Sequence, residues 1–312
     1  MKFLVTGANG FIGSYVVREL TERGDEVIAF DLRPPSSDPK VLGERLTWVQ
    51  SDVRQLQNVE NVVIAHRPEV IIHMAGLLQF GCMENPRLAV ELNVLGLSNV
   101  LEAARKHGVR RVVTASSSAV YGPLKTDVRE SASIPPNVSL YGATKFFGEI
   151  LCRQYIQNYQ LEAVNLRYYG VYGPGEVRSP GMAQLLMEIQ RIVSGKDVRI
   201  PKIKGSDHTH LVFVTDAAHA TVLAATVPGP LRLTYNIAGG PQDFVSFEKM
   251  VEMIRKIEPR SGRVIFEGQG EAIGLNPFDI SLARKELGFE PRVTLAEGLR
   301  ESIAYLKRTQ RG

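Results

Sequence analysis

A tyrosine and a lysine four residues apart, Tyr141 and Lys145, are the side chains of this 312-residue sequence best suited to acid–base chemistry. At this spacing both lie on one face of a helix, so the ammonium can lie beside the phenol. A nearby cation favours the phenolate, and we therefore expect the pKa of Tyr141 to be lowered toward the working pH. Such a phenolate removes the proton of a substrate hydroxyl. The alternative is a half-buried tyrosine beside a solvated lysine.

A cluster of hydroxyls, Ser116 to Ser118, precedes this pair and directly follows the apolar run at 111–115, which predicts a buried strand. One of these hydroxyls would hold the oxygen that loses its proton. A strand that ends in serines beside a tyrosine–lysine helix makes the catalytic interpretation the stronger one.

Three glycines near the start of the chain, Gly7, Gly10 and Gly13, lie between an apolar run at 3–5 and a helical period at 11–20. In such a turn the first glycine permits a sharp bend, the second admits a pyrophosphate, and the third lets the helix pack close to the strand. The N–H groups of the first helical turn then point at the phosphates. The pattern predicts a dinucleotide site.

A second apolar run, at 26–30, ends in Asp31, at the distance expected for the acid that binds the adenosine ribose. A carboxylate there accepts hydrogen bonds from the ribose hydroxyls and repels a 2′-phosphate. We therefore expect NAD rather than NADP, although Arg33 follows two residues later. The alternative for Asp31 is a turn residue before Pro34 and Pro35. With NAD bound, the positive nicotinamide ring would act together with Lys145 to lower the pKa of Tyr141, and Lys145 would also hold the nicotinamide ribose while hydride moves to the ring.

Apolar strand-like and helix-like stretches alternate through the first half of the chain. This alternation predicts right-handed parallel crossovers and a doubly wound sheet, whose ligand lies across the carboxyl ends of the strands. The predicted strands are Phe3 to Val5, Glu26 to Asp31, Leu46 to Gln50, Glu69 to His73 and Arg111 to Ala115. The predicted helices are Phe11 to Leu20, Val59 to His66, Leu88 to His107 and Tyr141 to Tyr159.

Several residues follow these strands and should face the ligand. Asp52 could meet the adenine amino group, and Val53 could pack on the adenine ring. Met74, Ala75 and Gly76 follow the fourth strand, where small side chains permit close approach. The amide of Asn93 could tie the long helix to the end of that strand. Each of them is equally typical of a turn or a packing position.

Composition argues for a globular protein, with 44% hydrophobic and 22% charged residues. The net charge of +4 is spread along the chain and gives no evidence for nucleic-acid or membrane binding. Only two cysteines, Cys82 and Cys152, are present, which argues against disulfides and zinc. The short apolar N-terminus does not resemble a signal peptide, so we expect a cytoplasmic protein.

Two histidines at alternate positions, His208 and His210, raise the question of a metal site. Alternate positions on a strand face the same way, however, whether or not a metal is bound. We therefore expect no metal and treat both histidines as candidate substrate contacts.

Taken together, these motifs resemble an extended short-chain dehydrogenase/reductase of the NAD-dependent epimerase/dehydratase family, which includes the nucleotide-sugar 4-epimerases. The similarity covers nearly the whole chain. Its motifs are TGANGFIG at 6–13, HMAG at 73–76, SSSAVYG at 116–122, YGATK at 141–145, LRYYGVYGPG at 166–175, VFVTDAAHA at 212–220, YNIAGG at 235–240, and the tail from Asp279 to Pro291.

The resemblance implies an α/β fold with a Rossmann-type doubly wound parallel sheet and a smaller, discontinuous α/β substrate domain. The NAD-binding domain would be 1–170 plus 211–238, and the substrate-binding domain 171–210 plus 239–312. The catalytic residues would be Ser117, Tyr141 and Lys145. Family members commonly dimerise through a four-helix bundle, formed here by the helices at 88–107 and 141–159, and we expect a homodimer.

The cofactor and substrate residues expected from motif and resemblance together form two sets. Those expected at NAD are Gly7, Asn9, Gly10, Phe11, Ile12, Gly13, Asp31, Leu32, Arg33, Asp52, Val53, Met74, Ala75, Gly76, Asn93, Ala115, Tyr141, Lys145, Tyr168 and Val171. Those expected at the substrate are Leu78, Gln79, Ser117, Ser118, Gly170, His208, His210 and Asn276.

The sequence departs from the family pattern in its substrate half. Ser118 and Ala119 replace the Asp-Glu pair that sugar dehydratases use to eliminate water, which argues against a dehydratase. Three usual pyrophosphate contacts are also replaced, an asparagine by Gly170 and two arginines by Thr209 and Asn276. Loss of bidentate arginines favours a smaller substrate. Other cations remain in this half, namely Arg178, Arg199, Lys202 and Lys204.

We therefore expect an NAD-dependent oxidoreductase that takes hydride from a secondary alcohol of a sugar, polyol or related carbohydrate-like substrate. One alternative is a nucleotide-sugar (UDP-sugar) 4-epimerase with tightly bound NAD, which shares every catalytic residue. A second alternative is a NAD-binding sensor without catalysis, against which the intact acid–base set argues.

Overall fold

The computed structural model describes residues 1–35, 45–122, 128–175, 189–201, 203–269 and 277–309. The strands in these ranges are β1 Lys2–Thr6, β2 Glu26–Asp31, β3 Leu46–Gln50, β4 Val70–His73, β5 Arg111–Ser117, β6 Glu162–Tyr168, β7 Val171–Tyr172, β8 Val198–Ile200, β9 His208–His210, β10 Val212–Phe213, β11 Thr234–Ile237, β12 Phe244–Ser246 and β13 Val264–Phe266. The strands predicted from sequence are confirmed, within a few residues at their ends.

Helices connect most of these strands. Their bounds are α1 Phe11–Glu22, α2 Leu56–His66, α3 Gln79–Glu84, α4 Pro86–Ala89, α5 Gly96–Lys106, α6 Leu140–Tyr159, α7 Val214–Thr226, α8 Phe247–Ile257, α9 Ser281–Leu287 and α10 Leu295–Thr309. Short 3₁₀ turns occupy Ser118–Tyr121 and Pro241–Asp243. Among the helices of the described ranges, none has the length and apolar character needed to cross a membrane.

A seven-stranded parallel sheet, counted over the described residues, organises the molecule in the order β11-β6-β5-β4-β1-β2-β3. The order reverses beside β1, which is the switch point of a doubly wound sheet. The sheet therefore presents the carboxyl ends of β1, β4 and β5 side by side. At this edge, Ser117 on β5 pairs in register with Tyr168 on β6.

Both faces of the sheet are covered, and the alternation of side chains along β1 shows why. Phe3 and Val5 pack into one core cluster with residues of α1 and α7, whereas Leu4 packs into a second cluster with α2 and α5. All three side chains are fully buried. A strand buried on both faces is continuously apolar, as the sequence of β1 is.

The long helix predicted at 88–107 is divided in the structure. It runs from α4 through a π-helical turn, Val90–Leu95, into α5. Asn85 begins it by accepting a hydrogen bond from the backbone N–H of Leu88, at 3.0 Å. A π-turn contains one residue more than an α-turn and is frequent at functional sites. Asn93 lies inside this turn.

The C-terminal half adds smaller sheets around a third core cluster. β7 pairs with β10, β8 with β13, and β9 antiparallel with β12. The cluster joins α8 and α10 through Met250, Ile254 and Leu299. These elements match the expected smaller α/β portion, and the assignment of 171–210 and 239–312 to a substrate domain stays a prediction.

Candidate active site

The glycine turn after β1 has the geometry expected for a phosphate cradle. Gly7 adopts a left-handed φ of 68°, and a Cβ there would lie 2.5 Å from the backbone nitrogen of Ala75. A Cβ on Gly13 would overlap the carbonyl oxygen of Gly7. Gly10 precedes α1 without a side-chain cap, and the first turn contains no acidic residue. The N-terminus of α1 therefore retains its capacity to bind an anion.

Asp31 lies at the end of β2 next to this turn, with 7% of its surface exposed. Its carboxylate accepts hydrogen bonds from the backbone N–H groups of Asn9 and Arg33, each at 3.0 Å. The Arg33 guanidinium pairs with the same carboxylate and donates to the Asn9 carbonyl, at 3.0 Å. These contacts hold the Asp31 carboxylate in one position. Leu32 beside it is 56% exposed.

The loop after β3 is held more firmly than its sequence indicated. Arg54 donates to both carboxylate oxygens of Asp52, from 2.6 to 3.0 Å, and also contacts Glu91 of the π-turn. This pairing lowers the pKa of Asp52. Val53 is only 4% exposed and packs in the core against Gly96, so most of its side chain is unavailable to an adenine ring.

The loop after β4 is fixed by Asn93, as its position in the sequence predicted. The Asn93 amide oxygen accepts from the Leu77 N–H at 2.7 Å, and its nitrogen donates to the Leu77 carbonyl and to the Thr144 hydroxyl, each at 3.0 Å. A Cβ on Gly76 would lie 3.1 Å from that amide oxygen and 3.3 Å from Lys145 Nζ. The amide is saturated by protein groups, so its role is to hold this loop.

The three expected catalytic side chains meet at the carboxyl end of β5. The Ser117 hydroxyl lies next to the Tyr141 phenol and acts to lower its pKa. It also accepts from the N–H of Ala119, at 3.1 Å. Lys145 Nζ lies 5.7 Å from the centre of the Tyr141 ring and donates to the Ala115 carbonyl, at 2.8 Å. Ser139 caps α6 two residues before the tyrosine.

Burial dominates the pKa values of both members of the pair. It raises the pKa of Tyr141 to about 12, and the neighbouring Ser117 hydroxyl offsets only part of this effect. Burial likewise lowers the pKa of Lys145 to about 8. The expected lowering of the Tyr141 pKa, which includes the effect of the positive nicotinamide ring, stays a prediction for the complex with NAD.

The side chain of Tyr168 points into the core. Its hydroxyl is buried against Thr221 of α7, at 2.7 Å. Val171 pairs with Val212. Gly170 has a left-handed φ of 49°, and a Cβ there would lie 2.5 Å from a methyl of Leu211. Leu211 thus fills the space beside Gly170.

The substrate half contains uncharged side chains where the family pattern has an arginine. The Thr209 hydroxyl lies next to the Tyr169 phenol, whose pKa is raised by burial. The Tyr169 ring lies 4.3 Å from that of Phe278. Because Thr209 and Phe278 are buried, these three side chains form an uncharged and mostly buried cluster beyond the end of β6.

His210 is a structural residue, which corrects its assignment as a substrate contact. Its Nε2 donates to the Gly240 carbonyl at 2.9 Å, and its Nδ1 accepts from the Phe278 N–H at 3.0 Å. The ring is 2% exposed, and burial lowers its pKa. Both nitrogens are therefore used inside the protein. His208 stacks on Phe244 with ring centres 4.9 Å apart and is partly exposed.

Three of the remaining candidates lie within the described residues. Leu78 occupies the position before α3 and is 42% exposed, Gln79 begins that helix, and Ser118 begins the 3₁₀ turn after β5. Asn276, Arg178 and Lys202 lie outside the described residues. Within the described residues, no group of three or more His, Cys, Asp or Glu side chains is arranged to hold a metal.

One buried ion pair near the cluster was missed by sequence reasoning. Glu149 accepts from Ser116 at 2.6 Å and from the Arg167 guanidinium at 2.6 and 2.8 Å. Arg167 also donates to the Tyr121 hydroxyl, at 2.7 Å. The available signal was helical spacing, because Tyr141, Lys145 and Glu149 follow each other at four-residue intervals on α6.

Comparison with known families decides the relationship. The family model described as the NAD dependent epimerase/dehydratase family matches residues 3–238, most of the chain. The chain belongs to this family. Like its epimerase/dehydratase relatives, it is a short-chain-dehydrogenase-type enzyme, and its cofactor is NAD.

Individual epimerase/dehydratase relatives are similar over their whole length. A Bacillus subtilis protein named an uncharacterized UDP-glucose epimerase is 31% identical, with 100% of both chains covered. UDP-glucose 4-epimerase from Thermotoga maritima, solved with UDP-glucose, has a TM-score of 0.86 at 27% identity, covering 99% of this chain and 100% of its own. The Thermus thermophilus UDP-glucose 4-epimerase, solved with NAD, has a TM-score of 0.84 at 27% identity, covering 98% and 99%.

Proposed function

We propose that this protein is a nucleotide-sugar 4-epimerase that interconverts UDP-hexoses. The observation that carries the proposal is the Ser117–Tyr141–Lys145 cluster beside the glycine turn, in a chain similar over its full length to proteins named UDP-glucose epimerases. This replaces our first expectation of a free sugar or polyol, which the comparisons do not support as well.

The cofactor fits the residues present. The cradle at Gly7 and Gly13 excludes a Cβ, the N-terminus of α1 faces it, and Asp31 is positioned for ribose hydroxyls. We propose that the loop at 74–76 and Lys145 hold the nicotinamide half, with the backbone of Tyr168 nearby. NAD supplies a hydride acceptor that returns the hydride to the opposite face of the sugar.

In the proposed reaction, the chain's own groups move one proton and hold one oxygen. Tyr141 removes the proton of the C4 hydroxyl as hydride leaves the C4 carbon, and later returns a proton to the C4 oxygen. Ser117 orients that oxygen through its hydroxyl. Because burial holds the pKa of Tyr141 near 12, the phenol becomes a base only with positive charge beside it, which Lys145 contributes.

A sugar dehydrogenase that releases NADH is the second candidate, and a specific observation favours it. Thr209 and Leu211 are uncharged and buried beside Tyr169 and Gly170, so neither supplies the positive charge from which a diphosphate would gain. The two candidates share every catalytic residue. They differ in whether NADH is released after the sugar is oxidised.

We also propose a homodimer through the outer faces of the π-turn, α5 and α6. Large apolar side chains there are exposed, namely Val90 at 44%, Leu95 at 50% and Phe147 at 46%. Exposed apolar groups grouped on adjacent helices are typical of a protein interface. The expected cytoplasmic location stays a prediction.

The decisive experiment incubates purified protein with UDP-glucose and follows the products by NMR while absorbance reports NADH. We expect UDP-galactose to form without net NADH, and Tyr141→Phe to reduce the rate about 100-fold or more. Accumulation of NADH with glucose or a polyol, and no UDP-galactose, would establish the dehydrogenase instead. Full turnover by Tyr141→Phe would exclude the proposed acid–base role.

A further inference from the structure

Cys82 lies in α3 directly behind the catalytic cluster, and its side chain is fully buried. Its thiol donates to the Leu77 carbonyl with Sγ and O 3.4 Å apart. Its sulfur accepts from the Asn93 side-chain nitrogen, at 3.6 Å. Thiol hydrogen bonds are individually weak, so any effect depends on what these two partners do.

One partner of Cys82, Leu77, belongs to the loop after β4, and the other, Asn93, lies in the π-turn and holds that loop. The Leu77 carbonyl is held by Cys82 and Asn93 together, and a Cβ on the preceding residue, Gly76, would lie 3.3 Å from Lys145 Nζ. The thiol therefore reaches the surroundings of Lys145 through the Leu77 carbonyl and the Asn93 amide.

The segment between Leu77 and Cys82 has little freedom to adjust. A Cβ on Gly81 would lie 2.6 Å from a methyl of Leu77, so the loop already packs tightly against α3. Close packing transmits a small change in volume to the neighbouring backbone. Removal of the sulfur would leave the Leu77 carbonyl with the Asn93 amide alone and open a void beside it.

We propose that Cys82 is a positioning residue. Its thiol fixes the Gly76–Leu77 backbone and the Asn93 amide, and these groups in turn set the position of the nicotinamide half of NAD relative to Lys145. The turnover effect rests on the proposed function, whereas the effect on NAD retention does not. Serine preserves a donor and an acceptor at this position, and alanine preserves neither.

The chain provides a matched control in Cys152, its other fully buried cysteine. Cys152 lies on α6, the helix of Lys145, but its polar neighbours are Thr114 and Asn165 in the sheet. Replacement of either cysteine by alanine removes the same atoms from a buried position. Only the replacement at Cys82 should reach the active site.

The test compares Cys82→Ala, Cys82→Ser and Cys152→Ala in the holoenzyme. We expect Cys82→Ala to lower kcat about 5- to 10-fold with the KM for UDP-glucose changed less than about twofold, because geometry and not sugar binding is lost. Cys82→Ser should recover most of that rate. Cys152→Ala should lower Tm while kcat stays within about twofold.

A second readout requires no sugar. Release of bound NAD, followed by exchange against isotopically labelled NAD, should be about fivefold faster in Cys82→Ala and unchanged in Cys152→Ala. Equal NAD release from both alanine variants, or equal losses of kcat, would overturn the positioning role. Faster release from Cys82→Ala in a protein that does not turn over UDP-glucose would instead refute the proposed function and leave the positioning role standing.

Discussion

Lys145 is a cation with a lowered pKa, and this gives the protein a distinctive response to pH. Burial lowers the pKa of Lys145 to about 8, so the ammonium loses its proton as the pH rises through that value. We expect NAD to bind more weakly above about pH 8 than below it, because the positive charge that faces the dinucleotide disappears.

Calorimetric titration with NAD between pH 6.5 and 9.5 measures this dependence. Lys145→Met should bind weakly at every pH, whereas Tyr141→Phe should keep the wild-type dependence. An alkaline loss of affinity that persists in Lys145→Met would assign it to another group.

Sequence reasoning succeeded at single residues where chemistry depends on spacing and failed where it depends on burial. The spacing of Tyr141 and Lys145, and the tie made by Asn93, were predictable from helical geometry. The burial that raises the pKa of Tyr141 in the protein alone and the structural role of His210 were not. His210 bonds to Gly240 and Phe278, 30 and 68 residues away, and no local pattern indicates such partners.

At the scale of elements, two buried histidines make hydrogen bonds at the ends of strands, and both imidazoles must remain neutral to make them. His73 at the end of β4 bonds Thr6 of β1 at 2.7 Å, and burial lowers its pKa to about 3. His210 on β9 has a pKa lowered by the same cause. The contact between β4 and β1, and the contacts of β9 with Gly240 and Phe278, therefore depend on uncharged imidazoles.

We expect the protein to lose stability as the pH falls below about 6.5. In the unfolded chain both histidines take up a proton near that pH, whereas the folded protein resists protonation, so acid favours unfolding. Because the pKa of His73 is about 3, this histidine accounts for up to about 2 kcal/mol between pH 6.5 and 5, and His210 acts in the same direction. Urea unfolding across this range measures the slope, and His210→Gln should reduce it.

A matched control for this slope is His66→Gln on α2, a partly exposed position. The His66→Gln variant should keep the wild-type pH slope, even if its free energy of unfolding differs from that of the wild type. If His210→Gln had the wild-type slope between pH 6.5 and 5, the acid sensitivity would have to come from other groups.

At the scale of the whole molecule, the parallel sheet was predictable because its strands are continuously apolar and alternate with helices. The arrangement of the C-terminal half was not, since β8, β9 and β12 are three residues each and pair across long stretches of sequence. The π-turn was equally hidden, because Val90 to Leu95 have an ordinary helical composition.

The exposed face of the π-turn, α5 and α6 leads to a prediction about assembly. Phe147→Asp places a charge in the proposed interface, where burying it would be costly, and should convert a dimer into monomers. Light scattering after gel filtration measures the mass. Ile265→Asp on β13, at a 37% exposed apolar position in the other half, should remain dimeric. A dimeric Phe147→Asp protein would place the interface elsewhere.

The contact between Gly170 and Leu211 also couples these two positions during evolution. An asparagine tolerates the left-handed backbone at position 170, but its Cβ would meet the terminal methyl of Leu211, so the leucine side chain would have to shift. A smaller residue at 211 would remove that contact, and alone it would leave a void. The effects of the two substitutions on stability should therefore not be additive.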